Sequence, residues 1–147
     1  MSDGNVRLTC LTCGQANRVP GAKLGSGPKC GVCGKPLVGG RVSEMDIATH
    51  DKATAHDGLP LLVDYWAPWC GPCRQMAPEF AKAAERLAGK ARFGKVNTEE
   101  FPALSQRLDI RGIPLLILWK NGRPVARLPG ARPAADIAAF VEGHLGK

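Results

Sequence analysis

The chain has 147 residues, a formal net charge of +7 and 44% hydrophobic residues. This length allows one domain of roughly 100 residues and a small additional module. The apolar run Ile113 to Trp119 is far shorter than the roughly 20 residues that cross a bilayer, and the opening residues lack the pattern of a secretory signal. We therefore expect a soluble, cytoplasmic protein in a reducing environment, and these features argue against a membrane protein or an exported one.

The positive charge is concentrated near the N-terminus. Residues 1–42 carry six lysine or arginine residues against one aspartate, whereas residues 43–147 carry fourteen against twelve acidic residues. A basic module can contact nucleic acid or an acidic protein, although a solvated basic surface is the simpler interpretation.

The first two Cys-x-x-Cys pairs define this N-terminal module. Sixteen residues separate Cys13 from Cys30, which is typical of a four-cysteine zinc site, and a glycine follows each pair. So few aliphatic residues cannot hold a fold alone, and a metal would supply the missing stability. Two local disulfides or a second redox pair remain the alternative, although neither pair enters an apolar helix pattern. The predicted zinc ligands are Cys10, Cys13, Cys30 and Cys33.

A second domain follows the module. Pro36 to Gly40 is short and contains glycine, so we interpret it as a linker that allows the module some movement. The predicted division is a zinc-binding module over residues 1–38 and a larger domain over residues 39–147. The segment from Val42 to Asp57 is compatible with a short strand and a helix.

The third Cys-x-x-Cys pair lies where a strand pattern gives way to a helix pattern. The apolar run Leu59 to Trp66 predicts a central strand, and the spacing from Cys70 to Leu87 predicts a helix with one apolar face. Cys70 therefore lies at a helix N-terminus, where free N–H groups and the helix dipole stabilise a thiolate. A Cys-x-x-Cys pair is either a redox dithiol or half of a metal site, and this context favours the redox dithiol.

The remaining pattern completes an α/β fold with a mixed central sheet flanked by helices on both faces. Asn121-Gly122 predicts a hairpin turn between two strands. The other predicted elements are a strand over Ala91 to Val96, a helix over Glu99 to Leu108, strands over Ile113 to Trp119 and Pro124 to Leu128, and a helix over Pro133 to Leu145.

Asp64 is the one charged side chain in the predicted central strand. Burial should raise its pKa and allow its carboxylate to accept the proton that Cys73 loses, whereas the alternative is a core aspartate satisfied by hydrogen bonds. The three histidines, His50, His56 and His144, have no ligand spacing, and we expect all three at the surface.

The order of these motifs resembles the thioredoxin family over residues 42–147. The resemblance rests on Asp64, Trp66, Trp69 to Cys73, Ile113-Pro114 and Gly130. The four-cysteine module makes the chain similar to the bacterial thioredoxins that carry zinc. The segments Trp66 to Trp69 and Lys95 to Thr98 are similar to those proteins as well. Leu115 departs from the family pattern, which more often has threonine there.

The residues and the resemblance together imply a protein-disulfide reductase. Cys70 attacks a disulfide of the partner, Cys73 resolves the mixed disulfide, and Gly71 and Pro72 set the turn between them. The resemblance further implies a cis bond before Pro114, substrate backbone paired beside Ile113, and an interaction of Lys95 with Asp64. It also implies a docking surface that contains Trp69, Gly130 and Ala131.

The resemblance also implies a cellular role. We expect a cytoplasmic monomer that binds one structural Zn²⁺, carries a reversible Cys70–Cys73 disulfide and receives electrons from thioredoxin reductase and NADPH. Its substrates would be disulfide-bearing proteins, within redox homeostasis and oxidative-stress defence, with no membrane or nucleic-acid partner. A zinc-ribbon interaction protein with a passive domain is one alternative, but it would require loss of Cys70 or Cys73. A disulfide donor or isomerase is the other alternative, which a measured redox potential separates from a reductase.

Overall fold

The computed structural model describes residues 4–145 and contains a five-stranded mixed sheet. The strands of this sheet are β3 (Val42–Glu44), β4 (Leu61–Trp66), β5 (Arg92–Asn97), β6 (Leu115–Lys120) and β7 (Arg123–Pro129). They lie in the order β3-β5-β4-β6-β7; β3, β5 and β4 are parallel, whereas β6 runs antiparallel to both β4 and β7. The predicted fold class is therefore confirmed.

Four helices cover the two faces of the sheet. Alternate residues of β4 point to opposite faces, so Leu61, Val63 and Tyr65 pack on one side and Leu62 on the other. The first cluster includes residues of α1 and α3, and the second includes residues of α2 and α4. The helices are α1 (Ile47–His56), α2 (Gly71–Arg86), α3 (Pro102–Arg107) and α4 (Ala134–Glu142). Within residues 4–145, no helix is long and apolar enough to cross a membrane.

The helix predicted over Glu99 to Leu108 is shorter in the structure. It begins at Pro102, and residues 98–100 form a turn. Proline disfavours the helical conformation for the residue before it but is well accommodated in the first helical turn. Phe101 accordingly takes a non-helical conformation, with φ −131° and ψ 65°.

The N-terminal module is a hairpin of β1 (Asn5–Thr9) and β2 (Ala16–Pro20), followed by a 3₁₀ turn over Gly21–Ser26. Hydrogen bonds and apolar packing bind the module to the larger domain. The backbone N–H of Thr9 donates to Asp57 Oδ1 at 2.8 Å, and the N–H of Gly58 donates to the carbonyl of Arg7 at 2.8 Å. Leu11 packs into the core cluster that contains Leu61 and Tyr65.

A buried ion pair lies beneath the module. Arg92 on β5 donates to Asp57, and both side chains are less than 5% exposed. Arg92 Nη1 also donates to the carbonyl of Leu37 at 3.2 Å, and Leu37 itself is 4% exposed. The prediction of a mobile linker at Pro36 to Gly40 is therefore wrong, because this segment is bound to the larger domain by Leu37.

The prediction that His50 lies at the surface is wrong, because the residue is only 1% exposed. The indole N–H of Trp119 donates to the Tyr65 hydroxyl, which leaves the hydroxyl proton for His50 Nε2 at 2.7 Å. The Nδ1–H of His50 then donates to Asp51 Oδ1 at 2.9 Å. Burial lowers the pKa of His50, so the ring is held neutral between its two partners. His56 is exposed as predicted, and His144 is partly buried with Nδ1 2.8 Å from the carbonyl of Phe140.

Candidate functional site

The Cys70–Cys73 pair lies between the end of β4 and the first turn of α2. Cys70 is the N-cap of α2, and its Sγ accepts a hydrogen bond from the backbone N–H of Cys73 at 3.2 Å. The two residues form a disulfide, with Cα atoms 5.2 Å apart. Because a helix N-terminus supplies free N–H groups and a positive dipole, the same position stabilises a thiolate on Cys70 after reduction.

Cys70 is nearly as buried as Cys73. Its relative exposure is 4%, against 2% for Cys73, because the disulfide packs with Ala67, Trp66 and Ile113. Cys70 nevertheless lines a groove of about 430 Å³ that Cys73 does not line. The difference between the two sulfurs therefore lies in access to this groove and not in overall burial.

The groove is mainly apolar. Trp69, 67% exposed, and Ile113 flank Cys70, and Arg111 is the one charged residue that lines it. The Ile113-Pro114 bond is cis, as predicted, and the carbonyl of Ile113 lies 3.8 Å from Cys70 Sγ. The lining residues are Trp69, Cys70, Gly71, Pro72, Ser105, Ile110, Arg111, Gly112 and Ile113.

The other predicted docking residues lie beside this groove. The N–H of Gly130 donates to the carbonyl of Pro114 at 3.0 Å, which joins the loop after β7 to the cis-proline loop. Gly130 has φ +85°, a conformation that favours glycine. Ala131 follows it in an exposed position, and neither residue lines the groove itself.

Asp64 lies on β4 and is 3% exposed. Its Oδ1 has no hydrogen-bond donor within residues 4–145, so the alternative of a core aspartate fully satisfied by hydrogen bonds is not what the structure contains. Burial raises the pKa of Asp64 to about 7, while Lys95 opposes this shift and Glu44 adds to it. The predicted direction of the shift is therefore confirmed.

Lys95 is the register partner of Asp64 on the neighbouring strand β5. No ion pair within 4 Å joins the two side chains in the described part of the chain, and Lys95 Nζ instead lies 4.6 Å from the ring centroid of Trp66. Trp66 is partly buried and donates from Nε1 to Glu44 Oε2 at 3.2 Å. Sequence reasoning missed Glu44 because nothing in a strand of three residues marks it as part of a site.

The four remaining cysteines form a compact cluster. All four Sγ atoms lie within 4.8 Å of one another, with Cys10 and Cys33 3.6 Å apart and Cys13 and Cys30 3.7 Å apart. A tetrahedral zinc with Zn–S bonds of about 2.3 Å requires sulfurs about 3.8 Å apart, so the cluster fits this ion.

The backbone around the cluster supports thiolates. The N–H of Val32 lies 3.4 Å from Cys30 Sγ, and Asn17 Nδ2 lies 3.5 Å from the same sulfur. Gly14 and Gly34, which follow the two pairs, have φ +84° and +79°, so both turns around the sulfurs need a left-handed residue. Sequence spacing brought these four residues together correctly.

The fold and the dithiol beside a cis-proline define a thiol–disulfide oxidoreductase. Residues 41–143 match the thioredoxin family model, and residues 9–35 match the family model described as "Thioredoxin 2, N-terminal". The chain therefore belongs to the thioredoxin family.

Individual relatives agree with this assignment. Thioredoxin C-3 of Corynebacterium nephridii is 36% identical over 138 residues, which cover 94% of each protein. Thioredoxin of Haemophilus influenzae is 36% identical over 71% of this chain and 97% of its own length. Among solved structures, chloroplastic thioredoxin z matches with a TM-score of 0.65 at 33% identity, over 70% of this chain and 93% of the other.

Proposed function

We propose that this chain reduces disulfides of other proteins through Cys70 and Cys73. The observation that carries the proposal is the position of Cys70, which caps α2 and opens onto an apolar groove beside the cis-proline loop. A dithiol in this position can be attacked or can attack only through Cys70, since Cys73 does not line the groove.

The reaction has two exchange steps. The Cys70 thiolate attacks one sulfur of the substrate disulfide, forms a mixed disulfide and releases the other substrate sulfur as a thiolate. Cys73 then loses its proton to the Asp64 carboxylate and attacks Cys70 Sγ, which releases the second substrate sulfur. The substrate gains two electrons, and the Cys70–Cys73 dithiol becomes a disulfide. Thioredoxin reductase with NADPH is the proposed electron source that restores the dithiol.

The groove and its neighbours would hold the substrate. An extended substrate strand beside Ile113 would pair with the backbone before Pro114, as in strand addition. Trp69, Gly130 and Ala131 would contact its side chains, and their exposure supports this role. Lys95 would tune the ionisation of Asp64 as its register partner.

Cys10, Cys13, Cys30 and Cys33 would hold one structural zinc ion. Bound there, the ion supplies no reaction chemistry, because four protein ligands fill its coordination shell and leave no position for a substrate. The module would instead be stabilised by the metal, since β1 and β2 alone bury few apolar side chains. We propose a cytoplasmic location for the protein.

A coupled assay tests the proposal. Reduction of insulin by the full chain, with NADPH and thioredoxin reductase, should consume NADPH at a rate proportional to the concentration of the chain. Cys70→Ser and Cys73→Ser should each abolish turnover, whereas Cys13→Ser should retain it if the zinc cysteines have no part in the exchange. Consumption that persists in Cys70→Ser would refute the proposal, and a measured redox potential far more oxidising than about −270 mV would favour the disulfide-donor alternative.

A further inference from the structure

Asp64 does not stand alone on the sheet, because a row of three charged residues crosses three parallel strands. Glu44 on β3 is the register partner of Lys95 on β5, and Lys95 is the register partner of Asp64 on β4. Register partners in adjacent strands point to the same face. Two residues earlier, Val42, Phe93 and Leu62 form a parallel row that packs against α2 and α4. The charged row therefore lies on the α2 face, at the carboxyl ends of the strands, where α2 begins at the dithiol.

Trp66 contacts two members of this row, Glu44 and Lys95. It follows Asp64 by two residues and therefore lies on the same face of β4. Its indole N–H donates to Glu44 Oε2 at 3.2 Å, and its ring lies under Lys95 Nζ at 4.6 Å. The same side chain packs against the cluster of Ala67, Cys70 and Cys73. Trp66 thus holds the Glu44 carboxylate, while Lys95 lies on β5, the strand between those of Glu44 and Asp64.

We propose that Glu44 is a positioning residue for the proton acceptor of the reaction. Glu44 acts through Lys95: its carboxylate, fixed by Trp66, offsets the lysine charge so that Asp64 is not locked in its ionised form. This inference rests on the proposed function of Asp64 and adds a residue that neither the motif nor the groove includes.

Few other groups around Asp64 could shift its pKa. From β6, the residue opposite Asp64 is the apolar Leu116, and the buried residues of α4 are all apolar. Among the buried residues of α2, the one titratable group is Cys73, which does not titrate in the disulfide form. The charged groups that act on Asp64 are therefore Lys95, which favours its ionised form, and Glu44, which disfavours it.

The test measures the pKa of the Asp64 carboxyl by carbon-13 NMR in the oxidised full chain. Glu44→Gln should lower this pKa by about half a pH unit, the size expected for a charge two strands away in a partly screened site. Glu44→Asp, which keeps the charge, should restore a value near wild type. Trp66→Phe, which removes the indole N–H but keeps a ring, should shift the pKa in the same direction as Glu44→Gln.

The matched control is Glu85→Gln, which removes an equal charge from an exposed position near the end of α2. A shift in Glu44→Gln no larger than in this control, or a shift to higher pKa, would overturn the inference. Loss of thermal stability in Glu44→Gln without a pKa shift would also overturn it, because Glu44 would then only support Trp66.

The same measurement separates this inference from the proposed function. The carboxyl titration needs no turnover, so it can succeed even if the chain reduces no disulfide. If the pKa moves as expected, the pH profile of insulin reduction should move with it in Glu44→Gln. A moved pKa with an unmoved pH profile would contradict the proton-accepting role of Asp64 and leave its coupling to Glu44 intact.

Discussion

At the scale of single residues, the two sulfurs of the dithiol differ in their access to the groove. Cys70 caps α2 and lines the groove, whereas Cys73 lies within the first turn of α2 and is 2% exposed. Both sulfurs are nearly buried, so burial does not separate them, but the free N–H groups at the helix N-terminus stabilise a thiolate on Cys70. The proposed order of attack follows from this position and from access to the groove.

Variants of the two sulfurs should therefore trap different species. In Cys73→Ser, attack by Cys70 is still possible but resolution is not, so a disulfide substrate should accumulate as a covalent adduct on Cys70 that dithiothreitol reverses. Cys70→Ser should form no adduct at this site. Mass spectrometry of both variants measures the result, and adducts on Cys73 or equal adducts in both variants would contradict the assigned order.

Asp64→Asn should change the pH dependence of stability. The folded-state pKa of about 7 lies above the unfolded value of about 3.9, so the folded protein binds the proton more tightly. This stabilisation is complete below about pH 4 and is lost as the pH rises through 7, at a cost of about 4 kcal/mol. The variant, which has no such group, should gain stability relative to wild type by about that amount between pH 4 and 8, measured by urea unfolding of the oxidised proteins.

The same variant has a kinetic readout. The amide cannot accept the Cys73 proton, so reduction of insulin near pH 7 should be roughly 10–100-fold slower and should approach wild type at alkaline pH, where Cys73 ionises unaided. Equal rates at pH 6 to 7 would show that Asp64 is only a core group.

Sequence reasoning identified residues whose role depends on local spacing, and it missed those whose role depends on a distant partner. The six cysteines and Asp64 follow from their neighbours in the chain. The burial of His50 on α1 does not, because its partner Tyr65 lies on β4 and Trp119, which donates to the Tyr65 hydroxyl, lies on β6. Glu44 was missed for the same physical reason, since only the register of β3 on β5 places it beside Lys95.

At the scale of elements, the small hairpin of β1 and β2 has little apolar support. Its own core cluster contains Leu8, Val19, Leu37 and two of the four cysteines. So small a cluster contributes little stability, and the proposed zinc ion would supply the rest. The cysteine spacing predicted the cluster, but the contacts of Thr9, Leu11 and Leu37 with the larger domain left no pattern in the sequence.

The metal content should follow the ligand set. The purified reduced chain should contain one zinc per molecule, and Cys13→Ser should lose most of it and unfold at a temperature lower by more than about 5 °C. Thr12→Ser, in the same turn but not a ligand, should keep both properties. Elemental analysis and thermal unfolding measure them; zinc that is absent from wild type, or lost only when Cys70 and Cys73 are changed, would contradict the assignment.

At the scale of the whole molecule, the ion pair of Asp57 and Arg92 connects three parts of the chain. Asp57 follows α1, Arg92 begins β5, and their remaining contacts are to Thr9 and Leu37 of the N-terminal module. Neither charge has access to solvent, so each depends on the other and on the module above them. The two domains therefore share a polar contact as well as a hydrophobic one.

Breaking this pair should be more harmful than removing it. Arg92→Met leaves the Asp57 carboxylate buried without its partner and should cost about 3–5 kcal/mol of unfolding free energy. The double variant Asp57→Asn/Arg92→Met should be clearly more stable than the single one. Urea unfolding measures both, with the exposed Arg86→Met as a control that should change stability by less than about 0.5 kcal/mol. A single variant no less stable than this control would show that the pair contributes nothing.

The exposed edge strand β7 affects whether the molecule aggregates with unfolded chains. Its free edge belongs to an exposed strand, and such an edge ordinarily pairs with strands of other molecules and starts aggregation. Here Pro124 and Pro129 offer no N–H to an added strand, and Arg123 and Arg127 place charge on it. The opposite edge, β3, is only three residues long. A protein whose groove is proposed to bind extended chains thus has sheet edges that resist polymerising with them.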